Sequence, residues 1–148
     1  MSTQYALREV KSEDAGTLAE LMNELGYPTS VDEMAGRLRS IARDNAYHTV
    51  VAVSGARVVG VIGLGLAHFY ERNGDYVRIL VLSVSPDHRG AGVGTMLLES
   101  AEKWARNAGA STVFVNSGNQ RTEAHAFYTN HGYSQTGLRF VKSLVTDT

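Results

Sequence analysis

One segment in the second half of the chain constrains the fold most: residues 84–98, Val-Ser-Pro-Asp-His-Arg-Gly-Ala-Gly-Val-Gly-Thr-Met-Leu-Leu. An apolar run from Tyr76 to Val84 ends at Pro86, which cannot extend a β-ladder. From Gly92 onwards, apolar residues recur at helical spacing. Glycines at such a junction let backbone N–H groups approach a ligand at the helix start, where the helix dipole adds positive potential. The segment therefore predicts a strand–loop–helix unit that can hold an anion, with a diphosphate as its natural ligand.

Two familiar nucleotide-binding patterns do not fit this loop. A dinucleotide fingerprint requires G-x-G-x-x-G, whereas Gly90, Gly92 and Gly94 are spaced by two and Leu97 stands where the last glycine would be. A P-loop requires Gly-Lys-Ser/Thr, but Thr95 follows the last glycine. The remaining interpretations are glycines that merely turn the chain, or a phosphate-binding loop of another kind.

Composition narrows the class of protein. The chain has 148 residues, the size of one domain, and we expect a single domain over residues 1–148. Its net charge of −1, with scattered basic residues, argues against nucleic acid or a membrane surface as partner. The absence of cysteine excludes disulfides, Cys-ligated zinc and thiol catalysis, and no metal site is predicted. Without a secretory signal pattern or an apolar run of ~20 residues, a cytoplasmic location is expected.

The hydrophobic periodicity predicts an α/β fold with a mixed, α+β-type sheet. Helices are expected to begin at the N-cap Ser12 and at a capping box formed by Ser30 and Glu33. The other predicted elements are strands at 5–10, 47–53, 58–66, 76–84, 112–116 and 138–145, and helices at 92–108 and 122–130. The order β-α-α-β-β-β-α-β-α-β favours a mixed sheet covered by helices.

A second motif spans residues 121–133, Arg-Thr-Glu-Ala-His-Ala-Phe-Tyr-Thr-Asn-His-Gly-Tyr. Ala124 and Phe127 can face a core, while Tyr128 lies one residue round the helix and can reach a cleft. Gly132 supplies a left-handed exit from the helix. Taken by itself, Tyr128 could equally be a packing aromatic.

Together these motifs resemble the GNAT superfamily of N-acetyltransferases. The pattern R-x-x-G-x-G, at Arg89, Gly92 and Gly94, resembles that family's acetyl-CoA pyrophosphate loop, and Ala-x-x-Phe-Tyr followed by Gly-Tyr resembles its second signature. The order of elements matches that fold over nearly the whole chain. The resemblance implies acetyl-CoA as co-substrate and transfer of its acetyl group to a primary amine of a small molecule, by direct attack in a ternary complex. The implied cofactor-binding residues are Leu82, Ser83, Val84, Arg89, Gly90, Ala91, Gly92, Val93, Gly94, Thr95 and Asn119.

The resemblance also implies catalytic roles for particular residues. The thioester would lie where strands 76–84 and 112–116 splay apart, and Tyr128 would protonate the departing coenzyme A thiolate. Many family members place a glutamate base at the positions that Leu80 and Val81 hold here. Nearby polar candidates include His68, Glu71 and Asp75, and none of them is assigned as base.

The sequence does not decide the identity of the acceptor amine. By resemblance, the substrate-binding residues are Tyr27, Glu71, Asp75 and Tyr76. Their two carboxylates suit a cationic amine, whereas Arg72 and Arg78 could meet a phosphonate or a carboxylate. The Arg-x-x-Ala-His-x-Phe-Tyr form and the closing segment 139–144 look similar to the branch with the aminoalkylphosphonate N-acetyltransferases. The alternatives are an aminoglycoside N-acetyltransferase and, because of the missing glutamate, a non-catalytic acyl-CoA-binding sensor. The family also allows a homodimer.

Overall fold

The computed structural model describes residues 4–116 and 122–145. Short 3₁₀ turns at Ser12–Asp14 and Pro86–His88 precede α1 and α3. The strands and helices follow in chain order: β1 Tyr5–Glu9, α1 Ala15–Glu24, α2 Val31–Ala42, β2 Tyr47–Ser54, β3 Arg57–His68, β4 Asp75–Val84, α3 Val93–Asn107, β5 Ala110–Val115 and α4 Thr122–Asn130. None of the described helices is long and apolar enough to cross a membrane.

The strands form one mixed sheet in the order β1-β2-β3-β4-β5. Strands β1 to β4 pair antiparallel with their neighbours, and β4 pairs parallel with β5. The connection between these two parallel strands contains α3, as a crossover between parallel neighbours requires. The predicted mixed α/β fold is confirmed.

Contacts within the chain divide it into two compact units, residues 1–115 and 116–148. The first unit contains the whole sheet with α1, α2 and α3, and the second contains α4. The expectation of one domain over residues 1–148 stays a prediction.

Helices cover both faces of the sheet in the first unit. The side chains of Leu18 and Leu38, from α1 and α2, are buried in a cluster with Val61 of β3. The adjacent β3 residue, Gly60, faces α3, because a Cβ built there would lie 3.2 Å from side-chain atoms of both Val93 and Leu97. Since successive residues of a strand point to opposite faces, α1 and α2 lie on one face and α3 on the other. Glycine at position 60 lets the start of α3 approach the sheet closely.

Local capping signals match the structure at α2 but not at α1. Ser30 Oγ accepts the N–H of Glu33, and the Glu33 carboxylate accepts the N–H of Ser30, which confirms the predicted capping box. Ser12, by contrast, lies inside the 3₁₀ turn, and the prediction that it caps α1 is wrong. Asp14 is the N-cap residue of α1, but its side chain accepts no N–H of that helix; its carboxylate instead accepts the N–H of Lys11, before the 3₁₀ turn, at 2.8 Å.

The predicted strand at 138–145 is also wrong. Residues 134–144 form neither strand nor helix, and the apolar side chains of Leu138, Phe140 and Leu144 are exposed. Alternation of apolar and polar residues is a local property, whereas a strand needs the backbone of a partner strand. No described strand pairs with these residues.

A partly buried ion pair joins β1 to the beginning of α1. Arg8 donates two hydrogen bonds to the Asp14 carboxylate, at 2.9 and 3.0 Å, and the Asp14 side chain is 5% exposed. Hydrogen bonding from the Arg8 guanidinium holds the pKa of Asp14 below its usual value, although burial acts in the opposite direction. The charged form of Asp14 therefore stabilises the folded chain.

We expect Asp14→Asn to lower the free energy of unfolding by about 1–2 kcal/mol near pH 7, because it leaves the Arg8 charge without its partner. A carboxyl with a lowered pKa contributes stability above its unfolded value of about 3.9 and loses that contribution as the pH falls through the folded value. The deficit of the variant, measured by urea unfolding, should therefore shrink below about pH 4. The exposed Glu99→Gln on α3 is the control, and a pH-independent deficit would contradict the assignment.

Candidate active site

The parallel ladder between β4 and β5 covers only the first half of β4. Paired residues run from Asp75 with Ala110 to Ile79 with Val115, where β5 ends. Strand β4 continues to Val84 and still pairs there with β3. Among the described residues, no β5 residue pairs with residues 80–84. Within residues 4–116 and 122–145, this edge of β4 has no strand partner on the β5 side and can hydrogen-bond an extended ligand; the splayed-strand prediction places the thioester there.

A β-bulge lies where the open edge begins. In the β3–β4 ladder, Ile79 pairs with Leu64 and Val81 pairs with Gly63, so Leu80 is the extra residue. Its side chain is 50% exposed. A bulge bends its strand and re-aims side chains, and bulges are common next to active sites. The sequence pattern, a continuous apolar run, contained no signal for it.

The glycine loop has the backbone that only glycine adopts readily. Gly90 and Gly92 have φ values of 80° and 89°, in the left-handed region. A Cβ built on either would meet no atom within 4 Å, so the surface of the loop is open. Gly92 is the N-cap of α3 and offers no side-chain acceptor to the first-turn N–H groups. The start of α3 is thus a ready site for an anion.

Two hydrogen bonds tie this loop to the sheet. Arg89 Nε donates to the carbonyl oxygen of Val84 at 3.1 Å, which spans the loop back to the end of β4. Preceding it, His88 Nδ1 and the Tyr5 hydroxyl of β1 are 2.8 Å apart, and their rings meet edge to face. The loop therefore has a defined position relative to the open edge of β4.

The other residues that the sequence predicts to bind the cofactor fall into three groups. Leu82 and Val84 lie on the open edge, with Ser83 between them. The Ser83 side chain is buried and its hydroxyl lies 3.5 Å from the Leu21 carbonyl oxygen of α1, so Ser83 can serve a cofactor through its backbone only. Ala91, Val93, Gly94 and Thr95 belong to the loop and the first turn of α3. Asn119 lies outside the described residues.

A cleft lies between the two N-terminal helices and the sheet, beside the bulge. Its volume is about 170 Å³. Its walls are mostly apolar and include Met22, Met34, Leu38, Leu80 and Val81. Because Leu80 and Val81 also belong to the open edge of β4, the cleft and that edge share one boundary. Met34, Leu38 and Ile41, which recur at helical spacing along one side of α2, all line this cleft.

The four predicted substrate-binding residues do not line the cleft. Tyr27 and Glu71 are exposed, in the α1–α2 loop and the β3–β4 turn. Asp75 Oδ1 lies within hydrogen-bonding distance of His68 Nδ1 across the end of that hairpin. Tyr76 packs against Phe69 and Phe114, with ring centroids 4.9 and 5.3 Å apart. Asp75 and Tyr76 are consecutive residues of β4. The role of all four residues in substrate binding stays a prediction.

The arginines near that hairpin are also engaged with aromatic rings. The Arg72 guanidinium lies 3.9 Å from the centre of the Phe69 ring, within cation–π range. Arg78 lies 5.9 Å from the Tyr76 ring. Neither arginine lines the cleft.

Tyr128 belongs to the second unit, in the last turns of α4. Gly132 has a φ of 90°, and the N–H groups of Gly132 and Tyr133 donate to the carbonyl oxygens of Thr129 and Tyr128. This pair of bonds is a Schellman motif, which confirms the predicted helix exit. The half-buried Tyr128 ring contacts the rings of Phe127 and Tyr133, at 5.3 and 5.7 Å. Its neighbours therefore restrict the orientation of the ring.

Comparisons with known proteins identify the family of this chain. The model of the acetyltransferase (GNAT) family matches residues 15–133. The aminoalkylphosphonate N-acetyltransferase of Salmonella typhimurium is 34% identical over 144 residues, covering 93% of this chain and 90% of that protein. An aminoglycoside N(6')-acetyltransferase type 1 of Stenotrophomonas maltophilia is 26% identical over 133 residues, covering 88% of this chain and 86% of that protein. The crystal structure of a GNAT family acetyltransferase from Staphylococcus aureus superposes with a TM-score of 0.82 at 26% identity, covering 96% of this chain and 100% of that one.

We expect Gly92→Asp to weaken acetyl-CoA binding by more than about tenfold, because it places a carboxylate where a diphosphate would meet the helix start. Calorimetric titration measures the effect. Gly109→Asp is a matched control: Gly109 has a φ of 84°, equally open space, and lies at the opposite end of α3. The control should bind acetyl-CoA like the unchanged protein. Equal affinity in both variants would show that the loop is not the cofactor site.

Proposed function

Since the chain belongs to the acetyltransferase (GNAT) family, we propose that it transfers the acetyl group of acetyl-CoA to the primary amine of a small molecule. One observation carries this proposal: the open edge of β4 runs from the glycine loop to the cleft. From Val84 to Leu80 the strand spans roughly 13 Å. A cofactor anchored at the loop by its diphosphate can extend along this edge and end beside the cleft. Acetyl donor and amine acceptor would then meet at the bulge.

The loop would hold the diphosphate through backbone groups and one side chain. The first-turn N–H groups of α3 point to its surface, and the helix dipole adds positive potential. Arg89 is exposed, and while its Nε is held by the Val84 carbonyl the rest of its guanidinium can meet a phosphate oxygen. Ala91 and the loop glycines have no large side chain that would block the approach of the diphosphate.

The backbone at the open edge would orient the pantetheine arm and polarise the thioester. An extended arm can pair with residues 82–84 as an added strand does. A backbone N–H directed at the thioester carbonyl oxygen stabilises the negative charge that develops there. The acceptor nitrogen attacks the carbonyl carbon directly, and the C–S bond breaks as the tetrahedral intermediate collapses. The absence of cysteine fits a route without an acyl-cysteine intermediate.

Tyr128 is the proposed general acid. Its hydroxyl would give a proton to the coenzyme A thiolate as the C–S bond breaks, and the nitrogen would lose a proton to water. The support for this role is the match to the family's Ala-x-x-Phe-Tyr signature, together with the ring contacts that hold Tyr128 at the end of α4.

We expect Tyr128→Phe to lower kcat by 10²–10⁴-fold while acetyl-CoA affinity persists, because it removes one hydroxyl and retains the ring. Release of free thiol from acetyl-CoA measures kcat, and calorimetry measures affinity. Tyr133→Phe, which removes a hydroxyl from the neighbouring ring of the same unit, is the control and should retain kcat within about threefold. A kcat of Tyr128→Phe within twofold of the unchanged enzyme would reduce Tyr128 to a packing residue.

No residue of the cleft is proposed as base. Leu80 and Val81 stand at the usual glutamate positions, and none of the described residues that line the cleft is a carboxylate or a histidine. His68 and Asp75 are engaged with each other outside the cleft. The amine would therefore enter in its neutral form or lose its proton through water.

We expect log kcat/KM to rise with a slope of one per pH unit from about pH 6 to the pKa of the acceptor amine, because the neutral amine is the reacting form. An acceptor with a lower pKa should shift the break to its own value. His68→Gln and Asp75→Asn should leave the profile unchanged. A break near pH 7 that is independent of the acceptor would instead reveal a base on the protein.

Two other functions have support of their own. The similarity to an aminoglycoside acetyltransferase favours an aminoglycoside acceptor. The apolar residues at the glutamate positions favour an acyl-CoA-binding sensor without turnover. Thiol release across aminoalkylphosphonates, polyamines, aminoglycosides and a lysine peptide separates these functions from the proposed one. We also propose that the protein is cytoplasmic and forms a homodimer.

A further inference from the structure

The cleft beside the bulge has a composition that selects among amines. Of the described residues that line it, Arg37 alone is charged, and the apolar side chains dominate its walls. An ammonium group other than the reacting one would lose water there without a carboxylate to replace it, at a large cost in free energy. The positive charge of Arg37 would add repulsion. Polycationic acceptors are therefore disfavoured.

Arg37 is held at the α1–α2 end of the cleft. Its Nη1 donates to Thr29 Oγ1 at 3.1 Å, and the Thr29 hydroxyl in turn donates to the carbonyl oxygen of Tyr27 at 2.8 Å. The carboxylate one helical turn before it, Glu33, accepts the Ser30 N–H in the capping box. Arg37 forms no ion pair within 4.0 Å among the described residues. The Arg37 side chain is exposed, and its charge also acts on the Glu33 carboxylate, whose pKa lies below its usual value chiefly because of hydrogen bonds with Ser30. A guanidinium that is positioned and has no close ion pair can bind an external anion.

The volume of the cleft limits the size of its ligand. At about 170 Å³ it corresponds to roughly six water-sized volumes, taken at ~30 Å³ each. Pockets for drug-sized ligands are larger, at about 300–1,000 Å³. A short apolar chain therefore fits this cleft better than the rings of an aminoglycoside do.

We infer that the acceptor is a small amine with a short apolar body and an anionic group, and that Arg37 is the residue that selects for the anion. This inference rests on the proposed acetyl transfer, because it takes the cleft beside the bulge as the acceptor site. The amine points to the bulge, the apolar chain contacts Met34, Leu38 and Leu80, and a carboxylate or phosphonate meets Arg37 at the far end. The structure thus favours an anionic amine over the cationic one that Glu71 and Asp75 suggested.

The first test is a set of acceptors with matched chains and different ends: aminopentanoate and aminopropylphosphonate, pentylamine, and cadaverine. Kanamycin and a lysine peptide complete the panel. We expect kcat/KM to be highest for the anionic amines, lower for pentylamine and lowest for cadaverine and kanamycin. A preference for cadaverine, kanamycin or the peptide would overturn the inference and leave acetyl transfer intact.

The second test isolates Arg37. Arg37→Gln should raise KM for the anionic amines by about tenfold to a hundredfold, the equivalent of one charge-assisted hydrogen bond, with kcat and the kinetics of pentylamine changed less than twofold. Arg37→Lys should restore part of the loss. Arg39→Gln, an exposed change on the same helix, is the control and should alter none of these values. An equal loss for anionic and neutral amines would mean that Arg37 acts on the fold and not on selectivity.

Failure of the two proposals can be told apart. If acetyl-CoA binds but no amine of the panel is acetylated, the proposed acetyl transfer is wrong. Calorimetry of aminopropylphosphonate with the unchanged protein and with Arg37→Gln then decides the inference. If the Arg37→Gln variant binds aminopropylphosphonate at least tenfold more weakly than the unchanged protein, the anion site is upheld. Equal affinity in the two proteins, or no binding to either, overturns the inference.

Discussion

The unequal lengths of the two parallel strands are the constraint on which the candidate site depends. Strand β5 ends at Val115, opposite Ile79, while β4 continues to Val84 with β3 alone beside it. Backbone groups in a sheet need partners, so an edge of this kind favours an extended ligand. The same strand leads directly into the glycine loop, and its bulge at Leu80 borders the cleft. In the proposed function, one strand would therefore position the anion site, the cofactor arm and one wall of the acceptor cleft.

The packing of α3 keeps the anion site in register with that strand. Gly60 of β3 permits close approach of Val93 and Leu97, so the first turn of α3 lies against the sheet. The bond from Arg89 to the Val84 carbonyl and the pairing of His88 with Tyr5 connect the loop to β4 and β1. A cofactor bound by its diphosphate would thus have its arm directed along β4 by rigid neighbours, which reduces the entropy lost at the reacting end.

Charges that are close in sequence do not identify the acceptor. Glu71 and Asp75 precede or begin β4 and suit a cationic amine, whereas Arg72 and Arg78 in the same region suit an anionic group. In the structure Asp75 is paired with His68, and the cleft contains apolar side chains with Arg37 as its charged member. Arg37 lies in α2, far from β4 in sequence, so its relation to the bulge follows only from helix packing. Apolar residues that periodicity assigns to a core can equally line a substrate cleft, since both environments exclude water.

The sequence by itself determined the features whose physical causes are local. Gly90, Gly92 and Gly132 were predicted to supply left-handed or turn geometry, Ser30 and Glu33 to cap α2, and the periodicity located α4 at residues 122–130; the structure has all of these. Local signals also failed where a partner was needed: residues 138–145 alternate like a strand, but no described strand pairs with them. Tertiary structure alone decided where β5 stops along β4, that Leu80 forms a bulge, and that Arg37 borders the cleft. These depend on register and packing between segments distant in sequence, and neither composition nor periodicity encodes such contacts directly.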